Sequence, residues 1–75
     1  MERYANRGGD SGVTAYEIGP GKITVQFKDG AQYLYNSQHP GLFIVSEMQR
    51  LAQAGVGLNS YISRVVRQNY AQKLR

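Results

Sequence analysis

The sequence predicts an α+β domain: a three-stranded antiparallel meander (β-β-β) followed by two α-helices packed on one face. Its first half alternates apolar and polar residues and is interrupted by glycines, which is typical of short strands joined by turns. Its second half places apolar residues at helical spacing. With 75 residues the chain is long enough for one small domain, and strands followed by helices indicate the α+β class.

Three segments rich in β-branched and aromatic residues predict the strands. They are VTAYEI, ITVQF and AQYLYN, at 13–18, 23–27 and 31–36. GPGK separates the first two segments and KDG the last two, and both stretches favour turns because glycine tolerates positive φ.

Two apolar stripes predict the helices. The first stripe is Ile44, Val45, Met48, Leu51 and Ala52. Pro40 suits the first position of this helix, and Gly55 and Gly57 suit its end. Asn59 is the expected N-cap of the second helix. The stripe of that helix is Ile62, Val65, Val66 and Tyr70.

The first twelve residues, MERYANRGGDSG, predict a flexible N-terminal arm ahead of a single domain at 13–75. They contain three glycines, charges of both signs and no apolar period.

The hairpin at Asp29-Gly30 decides which way Tyr33 and Tyr35 face, because a shift of one residue moves every side chain to the other face. A two-residue loop would put both rings on the polar face, where bases could stack on them. A three-residue loop with a bulge at Gly30 would put them on the apolar face, opposite Val25 and Ile23. Buried area favours the inward register, since each ring can bury roughly 150–250 Å².

The charge of the chain is uneven. Residues 1–57 carry five bases and five acids, so the whole formal charge of +4 lies in residues 58–75. Those four bases are Arg64, Arg67, Lys73 and Arg75. An uncompensated basic segment attracts polyanions such as RNA, although the cations of a solvated helix face also favour the C-terminal end of a helix dipole.

The order of several residues resembles the KTSC domain, a short module at the C-terminus of some lysyl-tRNA synthetases that also occurs as small free-standing bacterial proteins. The resemblance spans Ser11 to about Tyr70. The residues that carry it are Ser11, Val13, Tyr16, Ile23-x-Val25-x-Phe27, Gly30, Tyr33-x-Tyr35, a glycine before a helix, and Asn59-x-x-Ile62.

The resemblance implies a small α+β domain of uncertain function, with RNA binding suspected from the association with the synthetase. The chain departs from the family pattern at Ser63, where a basic residue is common, and at Leu34, where a polar residue is common. Tyr33, Tyr35 and Asn59 are the family-motif residues, with either a structural or a binding role.

The sequence offers little support for an enzyme. His39 is the one histidine, and the acids show no paired spacing, so we expect no acid–base or nucleophilic catalysis, no metal site and no cofactor. The absence of cysteine suits a reducing compartment. Without a long apolar run, the expected location is cytoplasmic, with no membrane partner.

Two functions remain open. The first is a non-enzymatic module that binds RNA, or another nucleic acid, through a basic C-terminal helix. Its expected contacts are Arg64, Arg67, Lys73, Arg75, Lys28 and Tyr61. The second is a protein-interaction or self-association module, which forms a homo-oligomer or binds another protein through the open sheet face or a strand edge.

Overall fold

The computed structural model describes residues 1–9 and 11–75, and it confirms the α+β class. In this described part of the chain, five strands form one antiparallel sheet in the order β1-β2-β3-β4-β5. They are β1 (Glu2–Arg3), β2 (Val13–Gly19), β3 (Lys22–Phe27), β4 (Gln32–Asn36) and β5 (Gln72–Lys73). The predicted three-stranded meander is its centre, so the predicted number of strands was too low by one short strand at each edge.

Helix α1 (Leu42–Ala54) begins after Gly41 and ends at Gly55, whose φ of 75° is left-handed. The predicted stop at Gly55 is therefore confirmed. Pro40 is not the first helical residue. It forms an isolated bridge with Asn36 instead.

The second helix, α2 (Leu58–Tyr61), continues as a π-helical segment, Ile62–Val66. Its N-cap is Gly57, and no side chain caps it. The prediction that Asn59 is the N-cap was therefore wrong, since Asn59 lies inside the first turn.

One core joins the sheet to both helices. The sheet contributes Ile23, Val25 and Tyr35, which are at most 2% exposed. The helices contribute Val45, Met48, Ala52, Leu58, Ile62 and Val66 to the same cluster. The predicted stripe of α1 is thus confirmed. A hydrogen bond also joins helix α1 to strand β3, since the Gln49 amide donates to the backbone oxygen of Lys22 at 2.9 Å.

The N-terminal segment is not the arm that the sequence predicted. β1 pairs with β2 through Glu2–Tyr16 and Arg3–Ala15, and Tyr4 is 3% exposed in the core. The backbone N–H of Leu58 donates to the Tyr4 hydroxyl at 3.2 Å. Composition suggested an arm because the segment has three glycines and no apolar period, but the pairing of β1 and the buried Tyr4 ring hold the segment against the domain.

The second helix ends earlier than predicted. The backbone N–H of Arg67 donates to the oxygen of Ile62, and Arg67 then takes a φ of +53°. The chain turns back to the sheet, where β5 pairs Lys73 with Tyr33. A basic helix running to the C-terminus is therefore absent from the described chain. The edge of β4 offers unpaired backbone groups, and pairing with them replaces further helical turns.

Among the described residues, the helices lack the combined length and apolar character that a membrane crossing needs.

Candidate nucleic-acid interface

The β3–β4 hairpin has the inward register. Val25 lies opposite Tyr33 and Ile23 opposite Tyr35, as a three-residue loop at 28–30 requires. Tyr35 is 2% exposed, and burial, followed by the neighbouring Tyr33 and Tyr70 phenols, raises the pKa of Tyr35 to about 12. Tyr35 is therefore a core residue and presents no surface to a partner.

Tyr33 lies on the same face but nearer the hairpin end, where it is half-buried. Its ring centroid is 4.7 Å from that of Tyr70 and 5.7 Å from that of Phe27. The Phe27 contact is edge-to-face, with an interplanar angle of 77°. These three half-buried rings form a continuous aromatic surface that is only partly covered by the fold.

A depression of about 420 Å³ opens on this surface, and we call it the basic groove. Its lining residues are Gly12, Phe27, Lys28, Asp29, Ala31, Tyr33, Arg67, Gln68 and Tyr70. The end of β3, the hairpin loop and the turn after the π-helical segment bring these residues together. The turn at Arg67 therefore brings Arg67, Gln68 and Tyr70 to the groove.

Cations border the aromatic floor of the groove. Lys28 and Arg67 line it, and the ammonium of Lys73 lies 5.8 Å from the Tyr33 ring centroid. Within residues 1–9 and 11–75, none of these three cations has a carboxylate within 4 Å, since the ion pairs found there are Met1–Glu17 and Glu47–Arg50. Their positive charge is therefore available to an incoming anion.

Asp29 is the acidic residue of the lining. One of its carboxylate oxygens accepts the backbone N–H of Ala31 at 2.9 Å, an Asx contact that fixes the hairpin loop. Three cations against this one carboxylate leave the groove region positive.

A second depression adjoins the basic groove, because both share Asp29 and Ala31 in their linings. Its other lining residues are Gln26, Gly30, Lys73 and Arg75. The pairing of β5 with β4 brings Lys73 and Arg75 to this place. A basic track thus runs from Arg67 and Lys28, past the Tyr33 ring, to Lys73 and Arg75.

The predicted contact residues do not all lie on the same surface. Arg67, Lys28, Lys73 and Arg75 border the two depressions. Arg64 is exposed on the π-helical segment and lines neither of them. A single row of arginines on one helix therefore does not form, because Lys73 and Arg75 follow the turn and belong to the sheet edge.

Tyr61 also lies apart from the groove. It packs half-buried against the core, and burial, followed by the nearby Glu47 carboxylate, raises the pKa of its phenol. Asn59 is half-buried near the N-terminal segment, where a Cβ on Gly12 would lie 3.4 Å from its side-chain oxygen. Neither residue lines the two depressions.

Sequence reasoning missed Phe27 and Tyr70 as floor residues. Phe27 continues the apolar alternation of its strand, and Tyr70 fits the helical stripe at Ile62 and Val66, so both patterns predicted simple core packing. The polar run Gln68-Asn69 was the one local signal that the helix ends before Tyr70.

The described part of the chain contains no group of three or more His, Asp or Glu residues that could hold a metal ion. His39 is exposed, and its Nδ1 lies 3.2 Å from the side-chain oxygen of Asn69.

Comparisons with protein-family models, with curated proteins and with solved structures found no match to this chain. The KTSC resemblance therefore stays a prediction that depends on the residues given above.

Proposed function

We propose that this protein is a non-enzymatic module that binds single-stranded RNA along the basic groove. The observation that carries the proposal is the aromatic floor of Phe27, Tyr33 and Tyr70 bordered by Lys28 and Arg67. Single strands are held by cations that track the phosphates and by aromatic rings on which unstacked bases lie. A duplex keeps its bases stacked, so it has less to offer such a floor.

The roles divide along the track. Arg67 and Lys28 hold the phosphates at one end, and Lys73 and Arg75 hold them at the other. The exposed parts of Tyr33 and Tyr70 offer a surface to one base between them. RNA is favoured over DNA by the KTSC resemblance, while the groove chemistry itself suits either. A cytoplasmic location agrees with this proposal and stays a prediction.

Salt dependence is the first test, using a fluorescently labelled single-stranded RNA of mixed sequence. Four phosphate contacts give a slope of about −3 in log K against log salt, so affinity should fall roughly 50-fold from about 50 to 200 mM salt. A duplex of the same sequence should bind more weakly. An NMR titration at low salt that leaves the groove amides unshifted would reject the proposal.

A matched pair of double variants tests the location. Lys28→Ala with Arg67→Ala removes two groove cations, and Lys22→Ala with Arg64→Ala removes two exposed cations outside the groove. Both variants lose the same net charge. Only the first should abolish most binding. Equal losses would show that net charge, and not the groove, attracts the RNA.

Tyr70 tests stacking separately. Tyr70→Ala should weaken binding by about 1–3 kcal/mol, the range for loss of one base–aromatic stack, whereas Tyr70→Phe keeps the ring and should retain affinity. If Tyr70→Phe binds as weakly as Tyr70→Ala, the phenol oxygen and not the ring makes the contact.

The open face and edges of the sheet give less support to the alternative of a protein-interaction module. The edge strands β1 and β5 have two residues each, which leaves little backbone for an added strand. On the open face Gln32 and Gln26 satisfy one another through a 3.1 Å hydrogen bond.

A further inference from the structure

Helix α1 exposes an apolar surface on the side away from the sheet. The Phe43 side chain is 88% exposed and Leu42 is 56% exposed. A depression of about 540 Å³ lies beside them, lined by Leu42, Phe43, Ser46, Glu47 and Arg50. We call these five residues the α1 patch. Phe43 is the most exposed large apolar side chain among residues 1–9 and 11–75.

The fold does not require Phe43 at this place. The inward stripe of α1 is supplied by Val45, Met48 and Ala52, each at most 1% exposed. An aromatic ring in water gains nothing from folding, and contiguous exposed apolar surface marks interaction sites more often than single exposed residues do. The ring is therefore available for a contact outside the chain.

The charges of the α1 patch restrict its occupant. Arg50 Nε donates to Glu47 Oε1 at 2.9 Å, and a second guanidinium nitrogen contacts Oε2. The arginine lowers the pKa of the Glu47 carboxyl, mainly through this hydrogen bond. One acid and one base make the patch electrically neutral, so neither an anionic membrane nor a nucleic acid is attracted to it.

We propose that the α1 patch binds a second copy of this chain across a two-fold axis, with the two α1 helices antiparallel. Phe43 lies at one end of the patch and Arg50 at the other. Antiparallel packing therefore sets Phe43 of each copy against Arg50 of the other. A guanidinium suits an aromatic face, and the patch carries both a protruding ring and a depression that can receive one, as a self-complementary interface requires.

The interface is small, so the dimer is weak and depends on concentration. It uses neither the basic groove nor the sheet edges, so it is independent of the proposed RNA binding.

Analytical ultracentrifugation of the full chain from about 10 µM to about 1 mM provides the test. The apparent mass should rise from 8.4 kDa towards twice that value. Phe43→Ser should keep it at the monomer value, whereas the control Val65→Ser, at a side chain 49% exposed on the π-helical segment, should dimerise normally. A wild-type mass that stays at the monomer value throughout overturns the proposal, and so does a Phe43→Ser variant that dimerises as well as wild type.

Charge reversal tests whether the α1 patches of two copies face each other. Glu47→Arg makes the patch positive and Arg50→Glu makes it negative, so each variant alone should stay monomeric through repulsion between like charges. An equimolar mixture should form a heterodimer, because a positive patch then meets a negative one. Failure of the mixture to associate, with wild type dimeric, would overturn the proposed contact. All of these side chains are partly or wholly exposed, and far-UV circular dichroism confirms that each variant remains folded.

Discussion

Tyr4 provides a direct test of how the N-terminal segment contributes to stability. Tyr4 is 3% exposed in the core, and its hydroxyl accepts the backbone N–H of Leu58, the first residue of α2, at 3.2 Å. That N–H has no partner within its own helix, because the first N–H groups of any helix lack one. Tyr4 therefore contributes both apolar area and a helix-end hydrogen bond.

Two substitutions separate these contributions. Tyr4→Ala removes the ring and should cost about 3–5 kcal/mol, as large-to-small aromatic changes in cores do. Tyr4→Phe keeps the ring but leaves the Leu58 N–H buried without a partner, which should cost about 1–3 kcal/mol. A domain of this length has a free energy of unfolding of roughly 4–11 kcal/mol, so Tyr4→Ala should remove a large part of it.

Urea unfolding followed by far-UV circular dichroism measures these costs, provided that the slope m is unchanged. The control is Arg3→Ala, the exposed neighbour in β1, which should change the free energy of unfolding by no more than about 0.5 kcal/mol. If Tyr4→Ala is no more destabilising than Arg3→Ala, the packing described for the N-terminal segment is wrong and the flexible arm predicted from composition is right. If Tyr4→Phe costs nothing, the ring acts alone.

Two further predictions concern alkaline pH and a glycine contact. The pKa of Tyr35 is raised from 10.0 to about 12 in the folded state, so the stability that this shift contributes is complete below pH 10 and is lost as the pH rises towards 12, at about 1.4 kcal/mol per pH unit. Urea unfolding at several pH values should show a smaller slope of the free energy of unfolding against pH in Tyr35→Phe than in wild type. An equal slope in both proteins would contradict the prediction. Gly55→Ala should destabilise the fold more than Gly30→Ala in the same assay. Both glycines have positive φ, but only at Gly55 would the new Cβ lie 2.5 Å from the Ala5 side chain. Equal losses of stability would show that Ala5 does not pack against Gly55.

Local pattern predicted the centre of the fold well. The alternation in 23–27 and the glycine at position 30 left two registers open. Buried area favoured the register that places Tyr33 and Tyr35 on the inner face, because burying two rings outweighs burying Leu34. The stripe of α1 and its end at Gly55 followed from helical periodicity and from the left-handed conformation that glycine tolerates. The stripe and the end of α1 depend on residues close in sequence, whereas the hairpin register depends also on which face the fold buries.

The edges of the fold could not be predicted in the same way. β1 and β5 contain two residues each, too few to show any alternation, and they form only because β2 and β4 present unpaired backbone groups to them. The predicted basic helix does not form for this reason. Lys73 and Arg75, which were expected on one helix face, lie instead at the border of the hairpin.

The sequence by itself determined the α+β class, the inner face of α1 and the location of the excess positive charge at the C-terminal end, and it favoured one of two registers for the central hairpin. Only the tertiary structure decided that Tyr4 is core, that the chain turns at Arg67, and that Phe27, Tyr33 and Tyr70 meet beside Lys28. Periodicity and turn chemistry act over a few residues and can be seen in any window of the chain. Contacts between residues about 40 positions apart depend on which surfaces the completed sheet leaves unpaired, and no local window contains that information.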